Sequence, residues 1–283
     1  MSAPPLPPPG WHPDPWGHAP LRWWDGAAWS PWVTQAGDQW NGYEPEGERR
    51  WFPPIDTIGW PAAVLATVLV ALTIVGNFVA TAASESSEAV AGVAGLVILA
   101  VGIIGFPLAA FVASRSWGSG RLRQDLGLGF APVDLAIAPA TAAVMFGLVV
   151  GLSVTLQALG VPQASNLEGF EDRLTTPVIV FLLVLAGVLA PITEELLFRG
   201  VLMRGLSTRW GPATAIVGQG VVFGLAHLIW NAGWGNVGLV LPLTGVGVVL
   251  GWVTRATGRL GAGMVAHSLY NVTQIALLVA TTG

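Results

Sequence analysis

Beyond residue 60 the chain alternates between long apolar runs and short polar breaks. A helical crossing of a bilayer needs ~20 predominantly apolar residues, each rising ~1.5 Å. Seven stretches meet or approach that length: 60–83, 89–113, 133–160, 177–203, 212–230, 237–254 and 260–281. In hydrocarbon every backbone polar group must be bonded within its own segment, so such runs fold as helices. Charged residues make up 10% of the 283, against about 25% in a soluble domain. The deficit falls in these runs. The expected fold is an all-α polytopic membrane protein with about seven transmembrane helices. Pro61, Pro177 and Pro212 stand where a first helical turn tolerates a missing N–H.

The arginines give the runs a direction, because loops on the cytoplasmic side collect positive charge. Arg49 and Arg50 precede the first run. Arg115, Arg121 and Arg123 follow the second, Arg204 and Arg209 the fourth, and Arg255 and Arg259 the sixth. The opposite loops hold Glu85, Glu88, Glu168, Glu171 and Asp172, with Arg173 as their one basic residue. This pattern predicts a multi-pass protein of the cell membrane, with the N-terminus cytoplasmic and the C-terminus outside. The net charge of −4 and the lack of a basic tract speak against a nucleic-acid partner. Without cysteine the chain has no disulfide, thiolate ligand or thiol nucleophile.

Residues 1–59 have a different character. A tryptophan-rich module is expected over 1–34 and a polar linker over 35–59, ahead of the transmembrane domain 60–283. Asp25-Gly26, between Trp23-Trp24 and Trp29, is a hairpin signal. A module this small has little core, so stacked indoles around a β-hairpin are its expected support. Residues 9–34 resemble a short tryptophan-rich domain of unknown function found at the ends of many bacterial membrane proteins. A groove for proline-rich peptide is the alternative reading of these aromatics.

Charge inside the apolar runs is the strongest functional signal, since ionisable groups there are costly and mark functional sites. The fourth run reads Thr193-Glu-Glu-Leu-Leu-Phe-Arg199. Glu195 and Arg199 are spaced i,i+4 with the acid first, the favoured order for a helical ion pair. Such a pair leaves Glu194 pointing elsewhere. Phe223 and His227 share a face of the fifth run, and His267 and Asn271 share a face of the seventh. Gly218, Gly220 and Gly224 open the fifth run to a close helix contact. Counted from the arginine-rich end, His227 lies farther along its run than His267 does. A tilted fifth helix, or one starting beyond Pro212, would level them.

These residues, Glu194-Glu195-x-x-x-Arg199, Phe223-x-x-x-His227 and His267-x-x-x-Asn271, resemble the ordered signature of the CPBP family. Those are intramembrane proteases related to the CAAX prenyl endopeptidase. The resemblance covers about residues 133–281. It implies an intramembrane endopeptidase acting on a membrane-associated peptide or protein. It makes Glu194 the general base acting on water with His227, and gives His267 and Asn271 the oxyanion. Glu195 shares the base role or, with Arg199, orients the other groups, and Phe223 supports them.

The resemblance also implies a zinc variant, with His227, His267 and Glu194 as ligands; the preferred scheme needs no cofactor. His-Glu-x-x-His is absent, which removes the usual one-helix zinc arrangement. The last three runs hold no aspartate for an aspartyl dyad. Gly118-Ser119-Gly120 is an incomplete serine-nucleophile motif in a basic loop. The rival from another class is a catalytically inactive membrane scaffold, or an immunity or transport partner, that keeps the fold.

Overall fold

The computed structural model describes residues 7–17, 20–24, 26, 28–33, 53–84, 87–167, 170 and 174–282. Asp25, most of the 35–59 linker, and Arg49, Arg50, Glu85, Glu168, Glu171, Asp172 and Arg173 lie outside them. The chain divides into two compact units, Met1–Arg50 and Trp51–Gly283.

The first unit holds an antiparallel sheet of three strands, β1 (Gly10–Pro13), β2 (Leu21–Trp24) and β3 (Trp29–Val33), in that order. A second hairpin, β1–β2, thus joins the one expected at Asp25-Gly26. Indoles supply the core, as expected. Trp11 meets Trp23 edge-on at 5.6 Å between centroids, and Trp24 lies 5.2 Å from Trp29. Arg22 pairs with Asp14 at 2.9 Å and stacks on Trp16. The Trp24 indole donates to the carbonyl of Pro7, so the chain's own proline segment lies against this tryptophan.

The second unit is a multi-pass helical membrane domain. Its helices are α1 (Pro61–Ser84), α2 (Glu88–Ala100), α3 (Phe106–Trp117), α4 (Leu122–Asp125), α5 (Asp134–Ala158), α6 (Thr176–Val184), α7 (Ala190–Glu195), α8 (Met203–Leu225), α9 (Gly235–Thr257) and α10 (Gly261–Thr282). Stretches of π-helix join several of them, so among the described residues six rods are long and apolar enough to cross a membrane. The fourth rod, Thr176–Leu225, carries two of the seven expected runs. Gly211, at φ 77 and ψ 169, breaks it just before Pro212. Only glycine takes that conformation readily, so the chain turns back there.

Two π stretches have one cause. Val101–Gly105 and Leu185–Leu189 each end two residues before a proline, Pro107 and Pro191. A proline ring inside a regular helix clashes with the carbonyl four residues earlier. Widening the turn by one residue relieves the clash. The bond then formed runs from the Ala190 N–H to the Leu185 carbonyl. The next carbonyl, Ala186, meets Pro191 at the same offset and finds no N–H. It needs a donor from elsewhere.

The ends of the rods are knit together where the arginines gather. Arg259 pairs with Asp134 at 2.6 Å, and Arg204 donates to Thr57 Oγ1 and to the Gly258 carbonyl. Arg255 donates to the Pro53 carbonyl. Burial pushes the Asp125 carboxyl up, but hydrogen bonds from Ser114, Ser119 and Arg121 outweigh it and hold the group below its ordinary value.

Candidate active site

The polar side chains sit where four helices meet. α8 packs closely on α9 because Gly220 and Gly224 leave no room for a side chain. A Cβ on Gly224 would lie 2.6 Å from the Val240 carbonyl, and one on Gly220 3.0 Å from the Val248 nitrogen. Gly218 does not share this role, since a Cβ there would meet only the tip of Leu206 at 3.4 Å. The close approach brings the face of Phe223 and His227 against the fourth rod and α10.

Glu195 and Arg199 form the expected pair, at 2.8 Å with both side chains wholly buried. Arg199 also donates to the Gly247 carbonyl at 3.1 Å, and its guanidinium lies 4.6 Å above the Phe223 ring. His267 Nδ1–H donates to the same Glu195 oxygen at 3.1 Å. The other face of that imidazole turns to Glu194, with Nε2 3.8 Å from its Oε2. Glu194 is the one of the two acids that reaches open space, with 22% of its side chain exposed.

His227 is half-buried just beyond the end of α8. Its Nδ1 lies 2.8 Å from the Phe223 carbonyl. A carbonyl only accepts, so the proton is on Nδ1 and Nε2 presents a lone pair. The Phe223 ring packs edge-on against both Phe198 and His267 and 4.9 Å from the His227 ring, so it touches both imidazoles. Asn271 supplies the donor that the Ala186 carbonyl lacks, from Nδ2 at 2.7 Å. One of its two amide hydrogens is thereby committed to the backbone, and the other is left for a ligand.

Glu194, His227, His267 and Asn271 all line one cavity of about 510 Å³. Its remaining wall is mostly apolar, with Leu182, Leu185, Leu239, Leu243 and Val246 prominent. Glu195 and Arg199 stay behind this wall. The four residues brought together by sequence reasoning therefore share one concave, largely apolar site, the usual form of a small-molecule or peptide pocket.

The depths agree once the fourth rod is followed to its end. Arg204 touches Gly258, so Gly211 lies ~10 Å beyond the α9–α10 turn at ~1.5 Å per residue. The segment from Pro212 starts that much lower and reaches His267's level at His227. The helix begins where sequence places it, but deeper.

Sequence reasoning missed Gln219, which is wholly buried and donates to the Gly247 carbonyl at 2.7 Å beside Arg199. A glutamine flanked by glycines in an apolar run was the available signal. It also missed the loop that bounds the cavity, where Gln163, Asn166 and Leu167 line it and Ala164 N–H donates to the Gly235 carbonyl. Among the described residues no three His, Cys, Asp or Glu side chains come close enough to hold a metal ion. His267 Nδ1 and His227 Nδ1 each face an acceptor, which leaves Nε2 of each ring as the atom turned to a ligand.

Six membrane-length rods among the described residues, around a buried carboxylate–imidazole cluster, define a multi-pass membrane protein with a polar site in its interior. Residues 176–273 match the family described as type II CAAX prenyl endopeptidase Rce1-like, so this stretch is a domain of the CAAX-protease-related family. The match runs from the start of α6 past Asn271 and takes in every motif residue. No curated protein and no solved structure matches the chain.

Proposed function

We propose that this protein is an intramembrane endopeptidase that hydrolyses peptide bonds with water activated by Glu194. The observation that carries the reading is one cavity lined by Glu194, His227, His267 and Asn271, backed by a buried Glu195–Arg199 pair. Glu194 is the acid with access to water, and the His227 Nε2 lone pair helps to hold that water. Glu194 takes a proton from it, and the oxygen attacks the carbonyl carbon of the substrate.

The oxyanion that forms needs donors. With Nδ1–H given to Glu195, His267 donates to the oxyanion from Nε2 as a doubly protonated ring. The free N–H of Asn271 is the second donor. The proton held by Glu194 then passes to the leaving amine as the C–N bond breaks. Glu195 and Arg199 act through His267, as positioning residues.

The scheme uses no metal, so cleavage by the purified protein is expected to survive chelation; strict dependence on added zinc would reject it. The deciding substitution is Glu194→Gln, which keeps shape and removes the base. Loss of a general base costs ~10²–10⁴-fold in rate. Unchanged cleavage of a membrane-associated peptide, with membrane insertion intact, would reject Glu194 as the base, and a native chain that inserts but cleaves nothing would overturn the reading in favour of a non-catalytic scaffold. The positions of the arginines support an N-terminus on the cytoplasmic side and a C-terminus outside.

A further inference from the structure

The cavity is one-sided along the helix axes. On α10 its lining begins at His267 and continues through Asn271 to Gln274 and Ile275, away from the α9–α10 turn. On α9 it takes the first half, from Gly238 to Val246; on the fourth rod it runs from Phe181 to Glu194 before the break at Gly211 and takes Phe223 after it. Between the catalytic level and the arginine-rich end only the Phe223 ring lines it, one turn below His227. That direction is closed by Leu197, Phe198, Val201, Leu202, Leu250 and Ala262, each 0–1% exposed.

At the other end the cavity reaches the loop after α5. Gln163, Ser165 and Asn166 contribute polar groups to its rim, and Ser165 and Asn166 are exposed. From the level of His267 to that of Ile275 is ~12 Å at ~1.5 Å per residue. Arg115, Arg121, Arg123, Arg204, Arg209, Arg255 and Arg259 all belong to the opposite end, where the α3–α5 connection, the lower part of the fourth rod and the α9–α10 turn are tied together.

We propose that water and substrate enter this site from the extracytoplasmic side, and that the substrate is a peptide segment exposed there which places a bulky apolar side chain in the cavity. Positive charge marks the cytoplasmic end, and the only described route from the cluster leads away from it. The apolar wall of Leu182, Leu185, Leu239, Leu243 and Val246 rewards burial of an aliphatic or aromatic group, whereas a charged side chain would meet no partner there. The substrate part of this inference rests on the hydrolytic reading above; the access part does not.

The chain has no cysteine, so single cysteines report access without background. Three full-length variants suffice: Ser165→Cys at the rim, Ser153→Cys on the cavity wall and Gln124→Cys in the arginine-rich loops. In intact cells a membrane-impermeant maleimide should label the Ser165→Cys and Ser153→Cys variants, and the Gln124→Cys variant only after permeabilisation. The reverse pattern overturns the proposal. So does a Ser153→Cys variant that reacts only when unfolded, because the cavity is then shut at that end. A Gly/Ser decapeptide with two central leucines should slow labelling of the Ser153→Cys variant several-fold, and the same peptide without leucine should not. Equal rates with both peptides overturn the substrate class. The same labelling in a Glu194→Gln background separates the two readings, since it depends on access and not on cleavage.

Discussion

The Arg199–Glu195 pair sets a sharp energetic test. Arg199→Met keeps most of the side-chain volume while removing two hydrogen bonds, one to Glu195 at 2.8 Å and one to the Gly247 carbonyl at 3.1 Å. The second loss is small, because Gln219 still donates to that carbonyl at 2.7 Å. The first leaves a wholly buried carboxylate with His267 Nδ1–H, at 3.1 Å, as its donor. Breaking a buried ion pair by removing one partner costs ~3–5 kcal/mol. At ~2–4 °C per kcal/mol for a domain of this size, that is on the order of 10 °C in melting temperature. Adding Glu195→Gln removes the orphaned charge and keeps an oxygen for His267 Nδ1–H. The double variant should therefore melt well above Arg199→Met alone, with a coupling of ~2 kcal/mol or more, as expected for residues in direct contact. The assay is thermal unfolding of the purified protein in detergent. A double variant that melts at or below Arg199→Met would refute charge compensation as the role of Arg199.

Gly224→Ala should destabilise strongly, since its Cβ would meet backbone of α9, and overpacking costs ~1–3 kcal/mol. Gly218→Ala should be close to neutral in the same unfolding assay; equal effects would reject the close-contact account. Asn271→Ala strips the Ala186 carbonyl of its donor, a loss of ~1–3 kcal/mol. Because Pro191 is what denies that carbonyl a backbone N–H, Pro191→Ala should restore stability to Asn271→Ala, and no rescue would sink the explanation. Asp125 titrates below its ordinary value. Its contribution is therefore complete above pH ~4, the unfolded value, and is lost as pH falls through the lowered folded one. The stability gap between the native chain and Asp125→Asn should close on acidification, and a gap that widens would reverse the sign.

Much of this was written in period and spacing. The apolar runs gave the rods, and the i,i+4 order of Glu195 and Arg199 gave their pair. The Phe223–His227 and His267–Asn271 spacings gave two faces that meet in one cavity. What failed to show were properties of pairs of helices rather than of one. Gln219 is conspicuous in its run, but its partner is a carbonyl on α9, and nothing in the sequence selects Gly247. The three glycines of the fifth run read alike, yet only Gly220 and Gly224 face α9. The module's first hairpin turns at Gly17, at φ 67, without the Asp-Gly signature that marks the second. Pro191 is visible as a helix disturbance, whereas its consequence, a carbonyl satisfied by Asn271 eighty-five residues away, depends on how α10 lies.

The break at Gly211 explains why the site forms at all. Had the fourth rod ended near Arg204, the returning helix would start level with the α9–α10 turn, and Pro212 to His227 would rise ~22 Å at ~1.5 Å per residue. His267 stands only ~9 Å above Gly261 by the same rise. The imidazoles would then be separated by more than two helical turns and could not serve one water molecule. Continuing the rod to Trp210 lowers the starting point by ~10 Å and removes most of that gap. The residue that permits the reversal touches no substrate and carries no chemistry. A side chain at Gly211 would strain the backbone at φ 77, and the energetic consequence would be felt at His227, sixteen residues on, as a change in height.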